Sequence, residues 1–184
     1  ISVGYADESS IDYTLFDGEG AWSPDGTQIA FISGRLGYLG LWMISSQGQD
    51  TRELAGDGTS SYSNPVWSPE GDYIAFESNQ QGNWDIWIIT DEGRNLSNIT
   101  EKNMLQDGSP SWSPNAHQIA YYAVTAIGKL EESQSNIQII NVEDMEIKEV
   151  IGLPPRFYYS PQWSNDGTAL AFIGVESLSE SNLW

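Results

Sequence analysis

The sequence predicts an all-β fold built from repeated four-stranded antiparallel units, on three observations. A phrase recurs four times, as Trp22-Ser23-Pro24-Asp25-Gly26, Trp67-Ser68-Pro69-Glu70-Gly71, Trp112-Ser113-Pro114-Asn115-Ala116 and Trp163-Ser164-Asn165-Asp166-Gly167. The copies are evenly spaced: 45 residues separate Trp22 from Trp67 and Trp67 from Trp112, and 51 separate Trp112 from Trp163. Between them the apolar residues follow the two-residue period of strands, which rules out a solenoid of helices. Composition agrees, with 12% aromatic residues, eighteen Gly and eight Pro, as many short strands joined by tight turns require.

Each unit resolves into four strands. The first ends at the phrase Trp. The phrase is a turn: Pro presets φ, Asp or Asn bonds its own backbone, and Gly supplies the positive φ that follows. Ala116 takes the glycine's place in the third copy, so a somewhat different turn is expected there. The second strand holds Ile29-Ala30-Phe31, Ile74-Ala75-Phe76, Ile119-Ala120-Tyr121 and Leu170-Ala171-Phe172. The third holds Leu41-Trp42-Met43-Ile44, Ile86-Trp87-Ile88-Ile89, Ile137-Gln138-Ile139-Ile140 and the final Leu183-Trp184. The fourth and weakest spans 51–54, 95–100 and 147–151. The six extra residues of the third unit fall between its second and third strands, so a longer loop is expected at 125–135.

Four-stranded antiparallel units repeating at this interval are the signature of β-propeller blades. The boundaries expected are blades at 17–61, 62–106 and 107–157, an incomplete blade at 158–184, and the third and fourth strands of a further blade at 1–16. About four blades are thus represented, as part of a larger propeller. A closed four-bladed ring is the alternative, but it would supply one third strand twice, from Ile1–Ala6 and from Leu183-Trp184.

Charge narrows the partners. Seven Lys and Arg face 26 Asp and Glu, a formal net charge of -19. No cationic footprint can be built for phosphates, so nucleic acid is excluded as a partner. Cationic ligands, basic protein surfaces and metal ions are favoured over anionic membranes, and an acidic surface that serves solubility alone is the plainer reading of the same charge. No run approaches the roughly 18 apolar residues of a membrane span, and membrane insertion is not expected. The absence of Cys removes disulfides, thiolate metal sites and Cys nucleophiles.

Catalytic patterns are missing as well. The single His, His117, sits in a turn with no Ser or Asp partner at a known spacing and is expected to face solvent. No nucleophile elbow, zinc-protease helix or phosphate loop occurs. No cofactor is expected. Calcium held by carboxylates alone stays open, although no Asp-x-Asp-x-Asp loop is present.

In a propeller the first strand of each blade lines the central channel. The loops leading into it share one face with those joining second and third strands, and function concentrates on such loops. Five residues before each phrase Trp stand Asp17, Tyr62, Asp107 and Tyr158; three before stand Glu19, Asn64, Ser109 and Ser160. This mixture of acids and aromatics suits a channel mouth that receives a cation or basic peptide, although turn chemistry also recruits Asp, Asn and Ser. The partnering loops add Arg35, Tyr38 and Trp84; the last is expected to be exposed and a candidate hot spot, with packing between neighbouring blades as the alternative that is favoured slightly. Trp22, Trp67, Trp112, Trp163, Trp42 and Trp87 recur at fixed repeat positions and are expected to pack blades together.

The Trp-Ser-Pro-Asp-Gly phrase, the Ile-Ala-Phe burst and the Asp85-Ile86-Trp87 segment resemble the repeat of the TolB-like propellers, also called WD40-like or PD40, over almost the whole chain. The resemblance implies a noncatalytic propeller that binds or scaffolds a protein or peptide in the periplasm or outside the cell, with further blades or another chain completing the ring. Two alternatives stay open. One is the propeller gate of a prolyl-oligopeptidase-like serine peptidase, whose catalytic residues would lie beyond Trp184. The other is a carbohydrate-binding propeller that stacks sugars on Trp84 and Tyr38.

Overall fold

In the computed structural model, residues 16–101, 106–125, 134–150, 157–177 and 180–183 are described. They form fifteen strands and no helix, arranged as four sheets. The first sheet is β1 (Asp17–Trp22), β2 (Gln28–Ser33), β3 (Gly40–Ser45) and β4 (Arg52–Ala55). The second is β5 (Tyr62–Trp67), β6 (Tyr73–Ser78), β7 (Asp85–Thr90) and the two-residue β8 (Ser97–Asn98). The third is β9 (Gln106–Trp112), β10 (Gln118–Thr125), β11 (Gln134–Asn141) and β12 (Ile147–Glu149). The fourth has three strands, β13 (Phe157–Trp163), β14 (Leu170–Ser177) and β15 (Glu180–Leu183). Every sheet is an antiparallel meander in chain order. The strands assigned to 1–15 lie outside the described residues.

First strands of successive blades touch, β1 with β5, β5 with β9 and β9 with β13, so these strands form the hub. The core lies between blades. Ile74, Phe76, Trp87 and Ile89 of the second blade join Ile32, Leu41 and Met43 of the first in one cluster. Their strand neighbours Ala75, Ile86 and Ile88 face the other way and join Trp112, Ile119 and Tyr121 of the third. Alternate side chains of a strand point to opposite sheet faces, and both faces are covered, so these strands read as unbroken apolar runs.

The phrase tryptophans fasten the seams. The Trp67 indole N–H donates to Ala21 O of the preceding blade at 3.0 Å, and that of Trp112 donates to Val66 O at 3.3 Å. Trp22 has no blade on that side among the described residues and is 59% exposed, which departs from its expected packing role. The longer hairpin of the third blade also differs from expectation. β10 and β11 have eight residues each where β2, β3, β6 and β7 have six, so much of the insertion extends the strands. The connection, 126–133, lies outside the described residues.

The phrase turns share one geometry. In each, the residue in the glycine position donates its N–H to the phrase Ser carbonyl, at 2.9 Å from Gly26, 3.0 Å from Gly71, 2.9 Å from Ala116 and 2.9 Å from Gly167. The expected difference at Ala116 does not arise: its φ of 60° matches the 71°, 84° and 69° of its glycine counterparts. Flanking strand pairing dictates the conformation, and alanine adopts it at a steric cost of roughly 1 kcal/mol. Ala116→Gly is therefore expected to stabilise the protein by about 0.5–1 kcal/mol, read as a rise in urea midpoint without a change in slope. A lower midpoint would show that the alanine is not strained.

Candidate functional site at the hub loops

Each hub strand carries a β-bulge where its register shifts against the second strand: between Gly18 and Ala21, Ser63 and Val66, and Tyr159 and Gln162, and in β9 opposite Ala120 and Tyr122. Glu19, Asn64, Ser109 and Ser160, three residues before each phrase Trp, are the bulged residues, with φ of 51°, 53°, 51° and 50°. An extra residue in one strand bends it and re-aims its backbone N–H.

Carboxylates of neighbouring blades catch the freed donors. Glu19 Oε2 accepts the Asn64 N–H at 2.6 Å and the Ser63 hydroxyl at 3.0 Å. Glu77 Oε1 accepts the Ser109 N–H at 2.6 Å and the Asn64 side-chain amide at 3.0 Å. Glu77 escaped the reading of the sequence. Its signal was available as the one acid inside an apolar burst, opposite Ser63 where β2, β10 and β14 place Ile32, Tyr122 and Ile173. Burial raises its carboxyl above the usual range, opposed by the Asn64 and Ser109 hydrogen bonds.

The positions five before each Trp do not form one exposed ring. Only Asp17 is at the surface. Tyr62 and Tyr158 are each 2% exposed and Asp107 1%. Tyr62 stacks on Phe76 at 6.0 Å, and burial drives its phenol far up. Tyr158 meets Phe172 edge-on at 5.4 Å, and its backbone N–H and carbonyl both bond the Ser135 hydroxyl. These residues plug seams and support the loop face from beneath.

Asp17 is paired. Its carboxylate lies 3.1 Å from the Arg35 guanidinium, and the Ser33 hydroxyl followed by Arg35 holds its carboxyl below the usual value. Arg35 in turn lies over the Phe31 and Trp42 rings at 5.0 and 4.8 Å. Tyr38 is half-buried, and burial, then a hydrogen bond to Glu53, raises its hydroxyl. Both side chains crowd Gly56, where a Cβ would lie 2.1 Å from Glu53 Oε1 and 2.8 Å from the Tyr38 ring. In the next loop burial acts on Asp57, but hydrogen bonds from Ser60 and Thr59 prevail and hold its carboxyl down to about 2.

Trp84 is half-buried rather than exposed. It belongs to the seam between the second and third blades, where its carbonyl accepts the Asp107 N–H at 2.8 Å and its own N–H reaches the Gln106 side chain at 3.2 Å. Two buried carboxylates meet there. Asp85 accepts amide donors from Asn83 at 2.5 Å and Asn98 at 2.7 Å. Both oxygens of Asp107 are enclosed without a partner at hydrogen-bond geometry. Burial pushes Asp107 up to about 7, the Thr100 hydroxyl opposes this and Asp85 reinforces it. Among the described residues no group of three or more His, Cys, Asp or Glu is placed to hold a metal ion.

Residues 11–130 match the family model described as PD40, TolB beta propeller domain. The sequence finds no match among curated proteins. Solved structures share the fold. TolB from Acinetobacter baumannii superposes with a TM-score of 0.73 at 18% identity, over 91% of this chain and 40% of that one. An oligogalacturonate lyase in complex with manganese gives 0.67 at 15%, over 89% and 47%. A Mycobacterium tuberculosis puromycin-hydrolyzing peptidase gives 0.70 at 12%, over 92% and 28%. The chain thus spans less than half the length of each of these proteins.

The enclosed acid predicts a pH dependence. Asp107 has a folded value of about 7 against 3.8 for the free side chain, so the native state binds the extra proton between those limits. Its stabilising contribution is full below about pH 4 and is lost as pH rises through about 7. Asp57, held at about 2, acts in the opposite sense only at more acid pH. Unfolding midpoints are therefore expected to fall from pH 5.5 to 8.5, and Asp107→Asn, which mimics the neutral acid, should be more stable at pH 8 by on the order of 1–3 kcal/mol. Parallel pH profiles for the two proteins would show that Asp107 is ionised throughout.

Proposed function

Because the chain belongs to the TolB β-propeller family, we propose that it is a noncatalytic binding module that holds a basic protein or peptide against the loop face around the hub. The observation that carries this reading is the charge of that face. Among the described residues its one cation, Arg35, is already paired with Asp17, whereas Glu19, Asp57 and Glu101 are exposed carboxylates without a cationic partner. A positively charged segment is complementary to such a surface.

Asp17, Glu19, Arg35, Tyr38, Asn64 and Trp84 line the face in this reading, and Tyr62, Asp107 and Tyr158 hold it from below. An aromatic group extends the face at the fourth blade, where Tyr159 meets Tyr122 edge-on at 5.5 Å and stacks with Phe157 at 6.4 Å. The reading needs no cofactor. It places the protein in the periplasm or outside the cell, and no described helix is long and apolar enough to cross a membrane. A second reading, the gate of a serine peptidase, draws on the likeness to the puromycin-hydrolyzing enzyme, a likeness of fold alone.

Fluorescence anisotropy with ten-residue peptides of basic, neutral and acidic composition tests the proposal. Basic peptides should bind, and more weakly at 300 mM than at 50 mM NaCl. The double variant Asp17→Ala, Glu101→Gln should bind them at least fivefold more weakly, with little change in unfolding temperature because exposed ion pairs contribute only about 0–1 kcal/mol. Equal binding of acidic and basic peptides would sink the reading.

A further inference from the structure

At the other end of the blades, away from the hub loops, the phrase turns and the turns between third and fourth strands meet across each seam. The first two seams differ at one position of the outermost strand. In the first, Arg52 of β4 reaches across to the second blade, where Nη2 donates to Asp91 O at 2.8 Å and Nη1 to Glu92 O at 3.2 Å. Its guanidinium also lies 3.5 Å from Met43 Sδ. Two smaller cavities remain in this seam, one of about 160 Å³ lined by Asp25, Gln28, Trp67 and Asp91 among others, and one of about 120 Å³ lined by Met43, Asp50 and Arg52 among others.

Strand register identifies the counterparts in the second seam. Arg52 pairs with Met43, and Ser97 pairs with Ile88, so serine replaces the arginine. Lys148, paired with Ile139, restores a cation in the third blade. The turn of the third blade places Val142 and Glu143 where the second has Asp91 and Glu92. The equivalence is confirmed by one shared bond, Asp91 N–H to Asp72 O at 3.1 Å and Val142 N–H to His117 O at 3.0 Å.

Where the arginine is missing, a single cavity of about 360 Å³ opens. Ile88, Val142 and Glu143, counterparts of the groups that Arg52 touches, line it. Trp112 and Tyr73 form aromatic walls, and Glu70, Asp72 and Glu143 bring three carboxylates to the lining. His117 Nδ1 lies 3.3 Å from Glu143 Oε1 at the rim, and among the described residues Glu70 and Asp72 have no cationic partner.

We propose that this cleft between the second and third blades receives the guanidinium of an arginine side chain from a partner polypeptide, in the place that Arg52 fills from within in the preceding seam. The chemistry suits a planar cation. Carboxylates accept its N–H donors, and aromatic rings offer their faces to its charge. The volume of about 360 Å³ has room for an arginine side chain. Tyr73, 39% exposed in the lining, and Leu96, 41% exposed beside Ser97, provide apolar surface for the partner residues that flank the arginine. This site is separate from the hub face and does not depend on it.

The test is an NMR titration of the 184-residue chain, following the indole N–H of Trp112. The probes are an eight-residue peptide with one central Arg, the same peptide with citrulline, and capped arginine alone. The Arg peptide should shift the Trp112 signal saturably and bind at least tenfold more tightly than the other two. Ser97→Arg, which refills the cleft from inside, should raise the unfolding temperature and weaken the peptide at least tenfold, while Ser97→Ala should not. Glu143→Gln should weaken it three- to tenfold without loss of fold. Citrulline and arginine peptides of equal affinity, capped arginine binding as well as the peptide, or full affinity in a stable Ser97→Arg protein would each overturn the proposal.

Discussion

The indoles of Trp67 and Trp112, each docked on a backbone carbonyl of the blade before it, make the contact on which the stacking of the first three blades depends. Trp67 meets Ala21 and Trp112 meets Val66 at corresponding points. A single four-stranded sheet of this size has two apolar faces and cannot bury either by itself. Stacking the sheets buries both at once, so the stabilising unit is the seam and not the blade.

The same constraint governs the polar residues. Converging hub strands must bend, and they do so at bulges that turn backbone N–H groups toward the neighbouring blade. Glu19 and Glu77 satisfy those donors, so acids that a surface reading assigns to ligand binding are partly taken up in joining blades. Asp85 and Asp107 show the other side of this economy. They lie where a seam closes over the loop connections, and the protein keeps a second carboxylate there with both oxygens enclosed. Such a group is tolerated most readily when it is neutral.

Seams of one repeat are not equivalent, and their differences are where distinct chemistry arises. Arg52 closes the lower part of the first seam, while Ser97 leaves the second open. Asp107 occupies the upper part of one seam, and Tyr62 and Tyr158 fill the same place in the others. In a repeat protein the shared positions build the scaffold, and departures from the repeat at a single position leave room or charge for something else.

Much of the fold was legible in the sequence because its causes are local and repeated four times. Strand alternation, the Pro-Asp-Gly turn and the paired Trp residues each follow from the covalent geometry of a short segment. Exposure was harder to read. Trp84 and the residues five before each phrase Trp stand in loops or at strand starts, yet all but Asp17 are buried or half-buried because an adjacent blade covers them. Ala116 takes the glycine conformation because pairing on either side imposes it. Position in the repeat is a property of the chain, and the sequence by itself determined the blades, their order and their turns. Which side chains meet across a seam depends on residues some 45 positions apart brought together by stacking, and only the tertiary structure decided that Glu77 joins blades, that Asp107 is enclosed and that Ser97 leaves a cleft.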